Sequence, residues 1–206
     1  METSRGDQDR TDPLMERLSR RRPVWQTASW LLFMGVSFAV MWALWGQGRY
    51  ETQAARLVSA GFALVLLGLS AIDLDRYILP DLLTWPLVVA GLVWTGYFGD
   101  RLIWSGIGAG LGYGVIAGLA WYWRSRKGQE GIGLGDAKLA AGLGAWLGAA
   151  SLPHLFLVAS ALALIVAFGL RIRSADRNPQ LFVPFGPFLC SAGWALWCAP
   201  ISSGLG

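Results

Sequence analysis

Two aspartates, Asp73 and Asp136, have the type and the setting to support catalysis. Asp73 directly follows the apolar run of residues 64–72, and Asp136 opens another apolar run behind the glycine-rich residues 131–135. Two carboxyl groups about 3 Å apart cannot both ionise easily, so such a pair shares one proton. The ionised member could then take a proton from an attacking water while the protonated member donates one to a peptide carbonyl oxygen.

The residues around Asp136 indicate a site set into a membrane. Gly133 and Gly135 carry no side-chain bulk, so an extended substrate backbone could approach the carboxylate closely. The apolar run Ala137–Ala150 that follows would form about 21 Å of helix, against a hydrocarbon core of about 30 Å. We therefore expect Asp136 to lie several ångströms below the membrane surface, in a wet cavity.

Other readings of these carboxylates remain open at this point. An aspartate is common at a helix N-terminus, and transporters also keep carboxylates inside the membrane. Asp75 follows Asp73 by two positions, and a supporting or solvated role is expected for it. The remaining acidic residues beyond the N-terminal tail, apart from Asp81, fall in predicted loops and are expected to be solvated: Glu51, Asp100, Glu130 and Asp176.

The composition predicts an all-α, polytopic transmembrane bundle. Hydrophobic residues make up 54% of the 206 and charged residues only 15%, well below the usual share in soluble domains. Residues 1–23 form a polar, basic tail that we expect to be disordered, and residues 24–206 form the membrane domain. Seven spans are predicted: Trp25–Trp45, Leu57–Ile72, Leu82–Phe98, Leu102–Trp123, Ala137–Ala150, Leu155–Leu170 and Phe182–Ala199.

The basic residues predict the orientation of these spans. Lys and Arg accumulate on the cytoplasmic side of membrane proteins. With the N-terminus in the cytoplasm and the C-terminus in the periplasm, only Arg49, Arg56 and Arg101 of the 17 basic residues lie outside. This asymmetry depends on a helix break at residues 151–154. The net charge of +4 then reflects orientation, and no nucleic-acid partner is expected.

No metal or cofactor site is expected. Cys190 and Cys198 lie eight positions apart on one predicted helix, about 12 Å along its axis and too far for a disulfide. There is no Cys-x-x-Cys pair, and the single histidine, His154, follows a proline in a predicted loop. A zinc ion would therefore find no ligand set.

Small and aromatic residues predict how the helices pack. A glycine occurs at every fourth position of the fourth predicted span, and we expect a neighbouring backbone to approach that face: Gly106, Gly110, Gly114 and Gly118. Tryptophans near predicted span ends, Trp194 and Trp197 among them, are expected to anchor the helices at the membrane interface.

Three segments resemble the type IV prepilin peptidases. Residues 72–81, Ile-Asp-Leu-Asp-Arg-Tyr-Ile-Leu-Pro-Asp, resemble the first aspartate motif of that family, and residues 133–139 resemble its Gly-x-Gly-Asp motif. Residues 183–189 resemble its C-terminal Pro-Phe-Gly-Pro-Phe segment. The resemblance implies that Asp73 and Asp136 are catalytic. It also implies that further motif positions approach the substrate, namely Gly133, Gly135, Lys138, Pro80 and Asp81.

By the same resemblance, the chain removes the basic leader peptide of type IV prepilins or type II secretion pseudopilins. Cleavage would take place at the cytoplasmic face of the bacterial inner membrane. Many members carry a loop with two Cys-x-x-Cys pairs, associated with N-methylation. That loop is missing from this sequence, so methyltransferase activity is not expected.

Two alternatives come from other functional classes. A small ion- or proton-coupled transporter could use Asp73 and Asp136 to bind its cation. Many transporters show internal repeats with sites near the bilayer midplane, whereas here both aspartates lie toward one face and the two halves show no clear match. An inactive family member serving in assembly is the other alternative.

Overall fold

The computed structural model describes residues 32, 34–40, 42–43, 53–98, 101–127, 133–173 and 184–199. The predicted tail, residues 1–23, lies outside these ranges, as does most of the first predicted span. The loop acids Glu51, Asp100, Glu130 and Asp176 also lie outside them.

The described part of the chain is helical throughout. Residues 34–40 are helical, and six longer helices follow: α1 (Gln53–Arg76), α2 (Asp81–Phe98), α3 (Leu102–Lys127), α4 (Leu134–Leu147), α5 (Leu152–Arg173) and α6 (Gly186–Cys198). No strand occurs within these residues, so the prediction of an all-α fold is confirmed for them.

Four stretches of the described chain are long and apolar enough to cross a membrane. They are Gln53–Arg76, Asp81–Phe98, Leu102–Arg126 and Ala149–Gly169. Large apolar side chains such as Leu64, Val93 and Leu157 point outward from them, as they would toward lipid. Helices α4 and α6 have 14 and 13 residues, about 20 Å each, and are shorter than the hydrocarbon core. The chain is therefore a multi-pass helical membrane protein.

The break that separates α4 from α5 comes earlier than predicted. Helix α4 ends at Leu147, Gly148 adopts φ +79°, and the 3₁₀ turn Ala149–Ser151 leads into α5. The prediction of a loop at residues 151–154 was wrong in position, because Leu152, Pro153 and His154 form the first turn of α5. Proline is favourable there, since the N–H groups of a first turn have no helical acceptor.

Helix α4 is largely buried and packs closely on α3. A Cβ at Gly112 would overlap the carbonyl oxygen of Ala140, and one at Gly108 would overlap that of Gly144. The predicted glycine face was wrong: Gly106, Gly110, Gly114 and Gly118 have nothing within 4 Å of a Cβ built on them. The helices meet on the opposite face of α3, where small residues let the two backbones touch.

An aromatic core fills the end of the bundle away from Asp73 and Asp136. The rings of Phe62 and Trp146 stack with centroids 4.4 Å apart, and Trp194, 1% exposed, donates to the Phe38 carbonyl at 3.1 Å. Trp197 is also buried. The prediction that Trp194 and Trp197 anchor the helices at the membrane interface was therefore wrong, and both stabilise the interior instead.

Candidate active site

Asp73 and Asp136 line one open cavity of about 850 Å³. The end of α1, the beginnings of α2 and α4 and the segment before α6 contribute to its lining, and side chains of α3 and α5 form what we call its walls. Asp73 and Asp136 are 63 positions apart in the sequence, and the helices that carry them bring both to one solvent-accessible cavity.

Asp73 lies in the last turn of α1, on the face that carries the buried residues Leu66 and Leu69. It is only 5% exposed. Its Oδ2 accepts a hydrogen bond from the Gly186 backbone N–H at 3.1 Å. Its backbone carbonyl accepts one from the Tyr77 N–H at 2.9 Å, which ends the helix. Both the side chain and the main chain of Asp73 are therefore fixed by partners.

Asp136 lies in the first turn of α4 and is half-buried. Gly133 precedes the helix as its N-cap, and its carbonyl accepts the Asp136 N–H at 3.2 Å. A negative side chain in a first turn is stabilised by the unpaired N–H groups there. A Cβ at Gly135 would lie 3.1 Å from the Cβ of Leu79, so this glycine lets the start of α4 press against the loop between α1 and α2.

An ion pair joins the two sequence motifs at the cavity. The Lys138 ammonium in α4 donates to Asp81 Oδ1, at the first residue of α2. The side chains are 28% and 60% exposed respectively. The ion pair links the beginning of α4, which carries Asp136, to the beginning of α2. The loop before α2 connects it to the end of α1, which carries Asp73.

Most of the predicted site residues meet at this cavity. Its lining includes Asp73, Asp81, Gly133, Gly135, Asp136 and Lys138. Pro80 does not line it and instead borders a neighbouring pocket with Asp75. The Pro80 carbonyl accepts the Leu83 N–H at 3.1 Å, so this residue starts α2 and does not face the aspartates. Asp75 is exposed beside Arg76, at 3.9 Å, in agreement with the solvated role expected for it.

Sequence reasoning missed the walls of the cavity. Val115 and Leu119 from α3 face it, as do Phe156 and Ser160 from α5. Each pair has the four-residue spacing of one helix face, but that spacing also occurs along every lipid-facing stripe of these helices. Tyr77 and Phe185 also line the cavity. Both lie within the segments that resemble family motifs, residues 72–81 and 183–189, but neither was singled out as a site residue.

No metal-binding cluster is found in the part of the chain that the structure describes. Within those ranges, no three residues of the types His, Cys, Asp and Glu are grouped so that they could hold an ion. Cys190 and Cys198 are both buried in α6.

Comparison with known proteins finds similarity to leader peptidases. The model of the type IV leader peptidase family matches residues 60–168. A prepilin leader peptidase/N-methyltransferase from Aeromonas salmonicida is 44% identical over 140 residues, covering 65% of this chain and 46% of the relative. The proteins of the same name from Aeromonas hydrophila and Pseudomonas putida are 38% and 36% identical, covering 87% and 88% of this chain and 59% and 60% of the relatives.

The chain spans about half the length of the curated relatives it matches. No solved structure matches it. The family match contains Asp73, Asp81, Asp136 and Lys138, so it covers the acidic residues and the ion pair of the cavity. By this match over more than half of its length, the chain belongs to the type IV leader peptidase family.

Proposed function

We propose that the protein is an intramembrane aspartyl endopeptidase that removes the leader peptide of type IV prepilins or type II secretion pseudopilins. One observation carries the proposal: Asp73 and Asp136, each from a motif of the family, line the same cavity. The relatives from Aeromonas and Pseudomonas are named prepilin leader peptidases, which supports the substrate class.

The pair works through one shared proton. Asp73 and Asp136 line the same cavity and their side chains are mostly buried, so a single negative charge on the pair is more stable than two. The ionised carboxylate takes a proton from a water whose oxygen attacks the peptide carbonyl carbon. The protonated carboxyl donates its proton to the carbonyl oxygen. When the C–N bond breaks, the leaving amine takes a proton from one carboxyl group, and a hydroxyl of the tetrahedral intermediate returns a proton to the other, which restores the starting state.

The other residues of the cavity suit a peptide substrate. Gly133 and Gly135 leave the approach to Asp136 without side chains, so an extended backbone fits beside the carboxyl group. Lys138 and Asp81 stand at the same cavity and position the beginning of α4. The apolar wall formed by Val115, Leu119 and Phe156 suits the apolar part of a substrate that stays in the membrane.

We assign the protein to the bacterial inner membrane, with seven spans, the N-terminus in the cytoplasm and the C-terminus in the periplasm. The distribution of Lys and Arg supports this orientation, since all but three would lie on the cytoplasmic side. In it, the end of α1 and the beginnings of α2, α4 and α6 face the cytoplasm. Cleavage then takes place on the side where prepilin leaders lie.

Conservative substitution of the two aspartates tests the proposal. Asp73→Asn and Asp136→Asn should each abolish cleavage of a co-expressed prepilin, seen as loss of the gel shift, while the protein still accumulates in the membrane. Asn is close to Asp in size but cannot hold or exchange the shared proton. Because both groups act on one water and one carbonyl, the double variant should resemble the single ones.

Asp75→Asn is the matched control. Asp75 lies on the same helix two positions from Asp73, but it is exposed and outside the cavity, so cleavage should stay near the wild-type rate. Near-normal cleavage by Asp136→Asn would instead contradict the aspartyl mechanism and favour a transporter that uses the same carboxylates.

A further inference from the structure

The start of α6 contacts Asp73 directly. Gly186 is the first residue of α6, and its backbone N–H donates to Asp73 Oδ2 at 3.1 Å across 113 positions of sequence. The first N–H groups of a helix have no acceptor within the helix. They also form the positive end of the helix dipole, which attracts a carboxylate.

The contact leaves no room for a side chain at residue 186. A Cβ built on Gly186 would lie 2.5 Å from Asp73 Oδ2 and 3.0 Å from its Cγ. Among the described residues, only Tyr77 and Gly148 have positive φ, so Gly186 is not needed for an unusual backbone conformation. The absence of a side chain at this position is therefore explained by the nearness of Asp73.

The donor is held rigidly by the turn that contains it. The Phe185 carbonyl accepts the N–H groups of Phe188 and Leu189 at 3.1 and 3.2 Å. Both of these residues are buried, and Pro187 limits the backbone of the first turn. A backbone donor in such a turn has no rotamers to lose and no charge to titrate, so it can orient a carboxylate without changing state.

We propose that Gly186 is a positioning residue for the reaction: its N–H fixes Asp73 Oδ2 and its lack of a side chain lets the carboxyl group reach the cavity. Because an N–H group already donates to Oδ2, protonating that oxygen would weaken the bond, so the shared proton is favoured on one of the other carboxyl oxygens. Asp73 Oδ1 then remains as the oxygen of that residue that exchanges protons with water. This inference rests on the proposed protease function.

Two glycine-to-alanine substitutions test whether a side chain at position 186 displaces Asp73. Gly186→Ala should lower kcat at least about tenfold with KM within about twofold, because Asp73 is displaced while substrate contacts elsewhere persist. Gly193→Ala is the control on the same helix. Its Cβ would lie 2.5 Å from the end of the Leu143 side chain, seven positions along α4 from Asp136 and outside the cavity lining, so kcat should stay near the wild-type value.

An amide-to-ester replacement tests the hydrogen bond without adding bulk. Incorporating glycolic acid at position 186 by cell-free nonsense suppression replaces the N–H with an oxygen. We expect about a 10- to 100-fold fall in kcat, the range for losing a hydrogen bond to a charged group, and an unchanged KM. The same ester at position 193 removes a mid-helix N–H and should leave kcat within about threefold of wild type.

The outcomes separate this inference from the protease proposal. If wild-type protein cleaves prepilin and Asp73→Asn does not, the protease proposal stands. A normal kcat for the ester at 186, or an equal loss for the ester at 193, would then overturn the role of Gly186.

A readout independent of cleavage keeps the inference testable if the chain proves inactive. In NMR spectra of selectively labelled protein, the Gly186 amide proton should shift when Asp73→Asn removes its charged acceptor. It should not shift in Asp75→Asn. An amide signal that is indifferent to Asp73→Asn would show that the contact does not exist in solution.

Discussion

At the scale of single residues, the loop after Asp73 combines an unfavourable backbone with a position at the cavity. Tyr77 has φ +54°, in the left-handed region that residues with a bulky side chain rarely adopt. Its N–H nevertheless closes the last turn of α1 on the Asp73 carbonyl, and its half-exposed ring lines the cavity. Backbone strain of this kind is often kept at functional sites.

Replacing this tyrosine by glycine should therefore stabilise the protein. For Tyr77→Gly we expect the free energy of unfolding to rise by about 0.5–1 kcal/mol, because glycine adopts positive φ without steric strain. Unfolding in mixed detergent micelles, followed by circular dichroism, measures this change. Ile78→Gly is the control: its φ is not positive, so glycine there should lower the stability by a similar amount. A loss of stability in both variants would contradict the argument.

The Asp81–Lys138 pair should matter more for activity than for stability. Both side chains are partly exposed, so removing either should change the free energy of unfolding by less than about 1 kcal/mol. Cleavage should fall several-fold in Asp81→Asn and in Lys138→Met, because the beginning of α4 loses its tie to α2.

Exchanging the two charges distinguishes positioning from direct contact with substrate. The double variant Asp81→Lys, Lys138→Asp rebuilds the pair in reverse and should recover a large part of the steady-state cleavage rate. Double variants that stay as slow as the single ones would indicate that Lys138 or Asp81 contacts the substrate itself.

At the scale of helices, the sequence predicted which segments are helical better than which faces meet. Every predicted span that lies among the described residues coincides with a helix, because apolar length alone decides that in lipid. Helix faces are harder to assign, since a lipid-facing residue and a core residue are equally apolar. Gly110 and Gly112 illustrate this: both are small, but only Gly112 touches another backbone. Trp194 likewise lies in the core, although its position near a span end favoured the interface.

These two glycines give a matched test of the α3–α4 contact. Gly112→Ala should destabilise the protein by about 1–3 kcal/mol, because its Cβ would overlap the Ala140 carbonyl and force α4 away. Gly110→Ala meets open space and should leave the stability within about 1 kcal/mol of wild type. Thermal unfolding in detergent compares the two. Equal destabilisation by both substitutions would contradict this packing.

At the scale of the whole molecule, the site depends on helix ends that converge from distant parts of the chain. The aspartates and their motif neighbours could be predicted from local sequence. The contact between Gly186 and Asp73 could not, since 113 positions separate the two and the bond involves a backbone N–H that any residue but proline would supply. The cavity walls on α3 and α5 could not be predicted from the sequence either, because their apolar residues resemble those that face lipid.

The proposed orientation can be tested with introduced cysteines, since both natural cysteines are buried. On intact cells whose outer membrane has been permeabilised, a membrane-impermeant maleimide should label Arg101→Cys but neither Arg124→Cys nor Arg173→Cys. Lysed cells should allow labelling at all three positions. A labelling pattern that places residues 124 and 173 on opposite sides of the inner membrane would contradict the seven-span topology. It would also contradict the proposal that the two aspartates lie on one face of the membrane.

Metal removal should leave the reaction unchanged. The proposed mechanism needs only the two carboxyl groups and water, so treating purified protein with EDTA or a zinc-specific chelator should not alter the cleavage rate. The cleavage rate should then be measured again after zinc is added to the treated protein. Loss of cleavage on chelation, restored by zinc, would show that the carboxyl pair is not sufficient.

If Gly186 positions Asp73 as proposed, the bond between them also sets the time at which full activity can appear during synthesis of the protein. A ribosome that has just completed Asp73 must add 113 more residues before Gly186 exists. At roughly 5–20 residues per second, that takes on the order of 6–23 s. Throughout this interval the nascent chain contains Asp73, and later Asp136 as well, but it still lacks the Gly186 N–H that orients Asp73. If the protein is the proposed protease, its full activity therefore arrives only when the last described helix has left the ribosome and inserted, and partly made chains should cut their neighbours at least about tenfold more slowly.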